Sequence, residues 1–127
     1  MLAEPGGPAK ARKLFDDAKR ANSKVILFPE GELNQFGYDL LQQGKAEDAI
    51  VLFRMNVDAY PESANTYDSL SDAYLAAGRR DEALKFAEKA LQVLASDTRT
   101  PEEFKARIRE SAEGKISELR KKSSLKW

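Results

Sequence analysis

The chain of 127 residues contains an internal repeat with an offset of 34 residues, and few architectures are compatible with such a period. Residues 33–41 align with residues 67–75, and large apolar side chains coincide at four positions of the two segments. Gly44 then falls on Gly78, and the segments after both glycines match in residue type at nearly every position. We therefore predict two copies of one structural unit.

Each unit has the pattern of two helices joined at its glycine. Apolar residues within residues 33–41 recur at i, i+3, i+7 and i+8, which is one face of a helix. Glycine suits the left-handed conformation of the residue that ends a helix. An acidic pair follows each glycine, in the first turn of the next helix, where the helix dipole favours carboxylates. Small residues at Ala49 and Ala83 would let the two helices of each unit approach closely.

The pattern resembles the signature of the tetratricopeptide repeat family, whose units are helix-turn-helix hairpins of 34 residues. The first unit matches it at Leu33, Phe36, Gly37, Leu40, Ala49, Phe53 and Pro61, and the second at Tyr67, Leu70, Tyr74, Ala83 and Ala90. The departures are Asn56 for alanine, Ser71 for glycine, Ala87 for the aromatic residue and Ala95 for proline. We expect Phe86, one place before Ala87, to supply the missing aromatic bulk.

The resemblance implies an all-α fold, a superhelix of two hairpins at about residues 30–63 and 64–97. A narrower likeness concerns residues 30–38 and 60–70, which are similar to repeat tails at the C-terminal end of bacterial serine hydrolases, including β-lactamase-like and α/β-hydrolase proteins. This likeness implies that the chain is the non-catalytic end of a larger protein.

Segments on both sides are predicted to cover the ends of the two hairpins, because a short solenoid needs caps. Residues 1–29 hold a linker, a flanking helix from about residue 8 to 22, and the apolar run Val25, Ile26, Leu27 and Phe28. That run is either a buried connector, which we favour, or a strand that pairs with another edge. In residues 98–127, a capping box at Thr100 and Glu103 with Pro101 at the first helical position predicts a long closing helix and a basic tail. The total is six helices.

The composition excludes most catalytic chemistry. Cysteine and histidine are absent, which removes disulfides, thiolate nucleophiles, histidine bases and the usual ligands of zinc and copper. Asp68 and Asp72 lie at i, i+4 and could hold a cation or act as acid and base, but two carboxylates on an open helix are more often solvated. There is no glycine-rich phosphate loop or nucleophile elbow. We expect no enzyme activity, no metal and no cofactor.

In tetratricopeptide arrays the first helix of each hairpin lines the concave side. The resemblance therefore implies that a partner-binding face is formed by Asn34, Tyr38, Leu41, Gln42, Asn65, Asp68, Asp72, Leu75 and Ala76. We expect these side chains to be exposed, with Leu41 and Leu75 at the inner edge. The face is polar and negatively charged, and it lacks the basic residues with which chaperone-binding members clamp a C-terminal carboxylate.

We therefore expect a protein or peptide partner with a basic or extended segment, or self-association into a homo-oligomer. In the alternative interpretation, two hairpins form too short a groove for a peptide. Tyr38 and its neighbours would then pack on a cap, on another copy of the chain or on a parent enzyme.

The zero net charge conceals an asymmetry along the chain. Residues 1–29 carry six basic and three acidic side chains, residues 30–98 six and thirteen, and residues 99–127 nine and five. The basic ends allow a second function, a nucleic-acid-binding accessory domain. Acidic residues interrupt both basic sets, so we favour the protein partner.

No apolar stretch is long enough for a signal peptide or a membrane span. We therefore expect no association with a membrane. For the chain as given, this favours the cytoplasm, and other compartments stay open if the chain belongs to a longer exported protein.

Overall fold

The computed structural model describes residues 6–22, 28–98 and 100–124, with side chains to residue 121. Six helices follow one another and no strand occurs within these ranges: α1 Gly7–Ala21, α2 Glu30–Gln42, α3 Ala46–Ala59, α4 Ala64–Ala76, α5 Arg80–Leu94 and α6 Glu102–Ser124. The predicted all-α helical repeat is confirmed. Of the apolar run predicted as connector or strand, only Phe28 is described, and it packs partly buried against the core. Val25, Ile26 and Leu27 lie outside the described residues.

Both hairpins turn at the predicted glycines. Gly44 and Gly78 have φ of 76° and 78°, a left-handed conformation that glycine adopts without steric strain because it has no β-carbon. The residue after each glycine donates its N–H to a carbonyl five positions back, Lys45 to Leu40 and Arg79 to Tyr74, both at 2.8 Å. The two turns are therefore the same helix-ending motif, used twice.

The helices form two rows. Helices α2, α4 and α6 contact one another in turn, whereas α3 and α5 both contact α4 but do not contact each other. The row of α2, α4 and α6 is thus the tighter, inner side of the array, and we call its open surface the concave face. Helix α1 packs on α3, at the outer side of the first hairpin.

Helices α2 and α4 run in parallel register, one repeat apart. The hydroxyl of Tyr38 donates to Asp72 Oδ2 at 2.5 Å, across a separation of 34 residues. One turn earlier, the Ser69 hydroxyl donates to Asn34 Oδ1, also at 2.5 Å. The structural repeat therefore has the same length as the sequence repeat.

Two departures from the family signature, Asn56 and Ser71, and the expected substitute aromatic residue Phe86 contact neighbouring helices. Asn56 is buried, and its amide donates to the carbonyl of Glu30 at 3.1 Å. Ser71 is buried too, and its hydroxyl donates to the carbonyl of Ala83 at 2.6 Å, across the second hairpin. The ring of Phe86 stacks on Tyr74 with centroids 5.5 Å apart. These contacts attach each unusual side chain to a neighbouring helix.

The connection between α5 and α6 differs from the predicted capping box. The Thr100 hydroxyl donates to Asp97 at 2.7 Å, and α6 begins at Glu102. The carboxylate of Asp97 is buried and also accepts the N–H of Ala64 at 3.0 Å. Asp97 therefore caps the first turn of α4, a helix that starts 33 residues before it.

Candidate functional site

The nine residues predicted for the partner-binding face all lie on α2 and α4, the two helices of the first and second units that line the concave face. Their accessibility is uneven. The exposed ones are Gln42, Leu75 and Ala76, and the half-buried ones are Asn34, Tyr38, Leu41, Asn65 and Asp72. Asp68 is buried, with 6% of its surface exposed. The structure therefore brings the predicted residues onto one surface but leaves only part of them open to a partner.

The prediction of an exposed, solvated pair at Asp68 and Asp72 is wrong, because α6 supplies a cation to both. The ammonium of Lys115 lies 2.7 Å from Asp68 Oδ1 and 2.8 Å from Asp72 Oδ1. It also donates to the backbone carbonyl of Asp68 at 2.8 Å. The side chain of Lys115 is itself only 10% exposed. The concave face consequently carries less free negative charge than the sequence suggests.

Hydrogen bonds extend this ion pair across all three helices of the concave face. The hydroxyl of Tyr38 binds the second oxygen of the Asp72 carboxylate, and the ring of Tyr38 meets that of Phe53 edge-on at 5.2 Å. The Tyr38 hydroxyl also lies 3.3 Å from the Ser69 hydroxyl. We call the connected set the central network; its members are Asn34, Tyr38, Asp68, Ser69, Asp72 and Lys115. The network fills the middle of the face, and Tyr38 contacts Asp72 and Phe53 within the two hairpins, whereas the alternative interpretation expected it to pack on a cap, on another copy of the chain or on a parent enzyme.

Burial changes the pKa of two network members, Asp68 and Tyr38. It raises the pKa of Asp68 above the ordinary 3.8, although Lys115 acts in the opposite direction. Burial also raises the pKa of Tyr38 far above 10.0, and the negative charge of Asp72 raises it further. Tyr38 is therefore a permanent hydrogen-bond donor at neutral pH. No group of three potential metal-ligating side chains occurs among the described residues.

The sequence analysis missed two network members, Ser69 and Lys115. Lys115 lies three residues after Ala112 and seven after Ile108, two buried residues of α6. Those spacings place a lysine within the apolar stripe of the helix. A lysine at such a position, opposite an acidic pair on an earlier helix, is the signal that could have indicated the contact.

The accessible parts of the concave face are its two ends. At the C-terminal ends of α2 and α4, Leu75 is 41% exposed beside Ala76 and Gln42. At the N-terminal ends of α2, α4 and α6 there is a cavity of about 410 Å³. Its walls include Glu30, Ser63, Asn65, Phe104, Arg107 and Ile108.

Several basic side chains at the ends of the chain are paired with carboxylates. Arg12 binds Asp58 at 2.5 Å, and Arg120 binds Glu88 at 3.1 Å. Lys13 lies 3.3 Å from Asp17. These contacts partly neutralise the charges on which the nucleic-acid alternative depends. Within the described residues, no helix combines the length and the apolar character needed to cross a bilayer.

Residues 63–95 match the family model of the tetratricopeptide repeat. The match spans α4 and α5, which form the second unit. No curated protein matches the chain. The matched unit carries the glycine turn at Gly78 and five of the nine residues predicted for the concave face, so the family likeness and the candidate site overlap in the second unit.

Proposed function

We propose that the protein is a non-catalytic protein-interaction or self-association module of tetratricopeptide type, which binds its partner on the concave face. Repeats of this family typically bind proteins, and the match to residues 63–95 supports that role here. The observation that carries the proposal is that the nine predicted residues all lie on α2 and α4, the helices of the concave face, and that the C-terminal end of this face is open at Gln42, Leu75 and Ala76.

The partner that we propose is an extended segment. The sequence also led us to expect a basic one, attracted by Asp68 and Asp72. Because Lys115 already pairs with both carboxylates, an incoming cation would have to compete with an ammonium that has three acceptors within 2.8 Å. The geometry therefore favours recognition by shape and apolar contact at the two ends of the face.

Site-specific photocrosslinking tests the choice of face. A benzoylphenylalanine would replace Gln42 or Ala76, both exposed on the concave face, or as matched controls Arg54 or Lys89, both exposed on the outer helices α3 and α5. We expect discrete adducts from positions 42 and 76 only, and mass spectrometry then tells a second copy of this chain from another protein. Equal adducts from both faces, or none from the concave face, would refute the proposal.

We also propose that the module works as the C-terminal part of a larger bacterial hydrolase-like protein. The support is the likeness of residues 30–38 and 60–70 to the repeat tails of such enzymes. The test is whether the reading frame upstream of Met1 encodes a catalytic domain. A broad esterase and β-lactam screen of the chain alone should show no turnover.

A further inference from the structure

The cavity at the N-terminal end of the concave face has a distinct chemistry. Its floor is apolar, since Ile108 is 5% exposed and packs in a cluster with Ala64 and Leu94. One wall is the ring of Phe104, which remains 45% exposed although it belongs to the capping helix α6. A large apolar side chain left this open beside a cavity loses contacts that a ligand could restore.

The polar side chains of the cavity divide into two groups. Glu30 accepts the hydroxyl of Ser63 at 2.8 Å, and Thr100 donates to Asp97, so these side chains serve the connections between helices. Asn65 makes no side-chain hydrogen bond within the described part of the chain. Arg107 has no carboxylate partner there, and its guanidinium lies over the ring of Phe104 at 5.6 Å. The rim groups that remain available to bind a ligand are thus the amide of Asn65 and the guanidinium of Arg107.

Charge favours a neutral occupant. Arg107 and Glu30 both line the cavity, so for a charged side chain of either sign the attraction to one is offset by the repulsion from the other. A neutral aromatic side chain gives up no solvation of its own charge and can stack with the guanidinium and the Phe104 ring. A volume of about 410 Å³ lies within the usual range of ligand pockets, at its small end.

We infer that this cavity anchors the extended partner segment through one neutral aromatic side chain. The side chain lies on Ile108 and beside Phe104, and the backbone carbonyls that flank it accept from the Asn65 amide and the Arg107 guanidinium. The inference rests on the proposed function, because it gives the concave face its anchoring residue. It places the anchor at the second unit and the capping helix, away from the central network.

An NMR titration of the full chain tests the anchor. The probes are blocked pentapeptides of glycine with one central phenylalanine, alanine, glutamate or lysine, added to concentrations on the order of millimolar, since a single anchor binds weakly. We expect the phenylalanine peptide to shift amide signals of Asn65, Phe104, Arg107 and Ile108, with affinity at least about tenfold above that of the other three. Similar shifts from all four peptides, or none, would overturn the inference.

Variants locate the binding. Phe104→Ala should weaken the phenylalanine peptide about tenfold or more, and Asn65→Ala should weaken it severalfold. Leu14→Ala is the matched control, because Leu14 is 46% exposed on α1, outside the cavity; its binding should equal that of the parent chain. Asn65→Ala keeps the test valid if Phe104→Ala fails to fold. Unchanged binding by a folded cavity variant would contradict the inference.

The two proposals can fail separately. If adducts form from positions 42 and 76 and the phenylalanine peptide does not bind, the concave face is the interaction surface and the anchor is wrong. If the peptide binds at the cavity and no adduct forms from the concave face, the cavity binds a ligand without the proposed module function.

Discussion

Gly37 on α2 lies so close to Phe53 on α3 that a β-carbon at position 37 would overlap the phenyl ring. The equivalent positions of the second hairpin hold Ser71 and Ala87, both fully buried. In the second hairpin the residue on the first helix is therefore larger than in the first hairpin, and the residue on the second helix is smaller. Alanine at position 87 leaves room for the Ser71 side chain, which the phenyl ring of Phe53 denies to position 37.

Gly37→Ala should therefore destabilise the protein. We expect the free energy of unfolding to fall by up to about 2 kcal/mol, because overpacking of about 1–3 kcal/mol outweighs the gain of about 1 kcal/mol from alanine in a helix. Gly114→Ala is the matched control, since a β-carbon at Gly114 would meet no atom within 4 Å. It should raise the free energy of unfolding by about 0.5–1 kcal/mol. Urea unfolding of both variants measures the difference, and equal effects would contradict the packing described.

Lys115→Met should be among the most destabilising single changes in α6. It leaves Asp68 and Asp72 without their cation, and removal of one partner from a buried pair costs about 3–5 kcal/mol. Arg120→Met, on the same helix, removes an exposed pair with Glu88, for which we expect less than about 1 kcal/mol. Urea unfolding compares the two variants: the midpoint concentration measures the loss, provided that the slope of the free energy of unfolding against urea concentration is unchanged. A similar small loss from both would show that the central network contributes little.

The stability of the protein should depend on pH through Asp68. Its pKa is raised in the folded state, mainly by burial, so the folded chain binds this proton more tightly than the unfolded chain. The contribution of Asp68 to the free energy of unfolding therefore increases as the pH falls through the folded pKa toward 3.8, the ordinary value.

Comparison with Asp68→Asn isolates that contribution, because other carboxylates titrate in both proteins. We expect the free energy of unfolding of the parent chain, relative to that of the variant, to rise as the pH falls through the raised folded pKa of Asp68 toward 3.8. Urea unfolding at several pH values measures it. A relative decrease on acidification would mean that the attraction of Lys115 outweighs burial.

Asp97→Ala should destabilise the second hairpin. It removes the acceptor of the Ala64 N–H at the start of α4, and loss of a helix cap costs about 0.5–2 kcal/mol. Asp97→Asn keeps an oxygen for this bond and should cost less. Hydrogen exchange at Ala64 and its neighbours should accelerate in the alanine variant. If the two variants are equally stable, the bond to Ala64 is not what Asp97 contributes.

Most of the fold was predictable because its signals are local. The apolar period and the two glycines define each hairpin within 34 residues, and the structure has its turns at Gly44 and Gly78. The site was only partly predictable, since periodicity assigns Tyr38 and Asp68 to a helix face but does not say what covers that face. Lys115 is 47 residues from Asp68 in sequence, and its contact depends on how α6 packs.

The hydrogen bond between Asp97 and Ala64 makes the segment that folds cooperatively longer than the repeat that the sequence defines. Since the acceptor that completes the second hairpin belongs to the segment after it, a fragment ending at residue 95 would contain every signature residue of both repeats and still begin α4 with an unpaired donor. Excised hairpins of this protein should consequently be frayed at that end, and any transplanted copy needs to carry the residues through Thr100, which position the carboxylate.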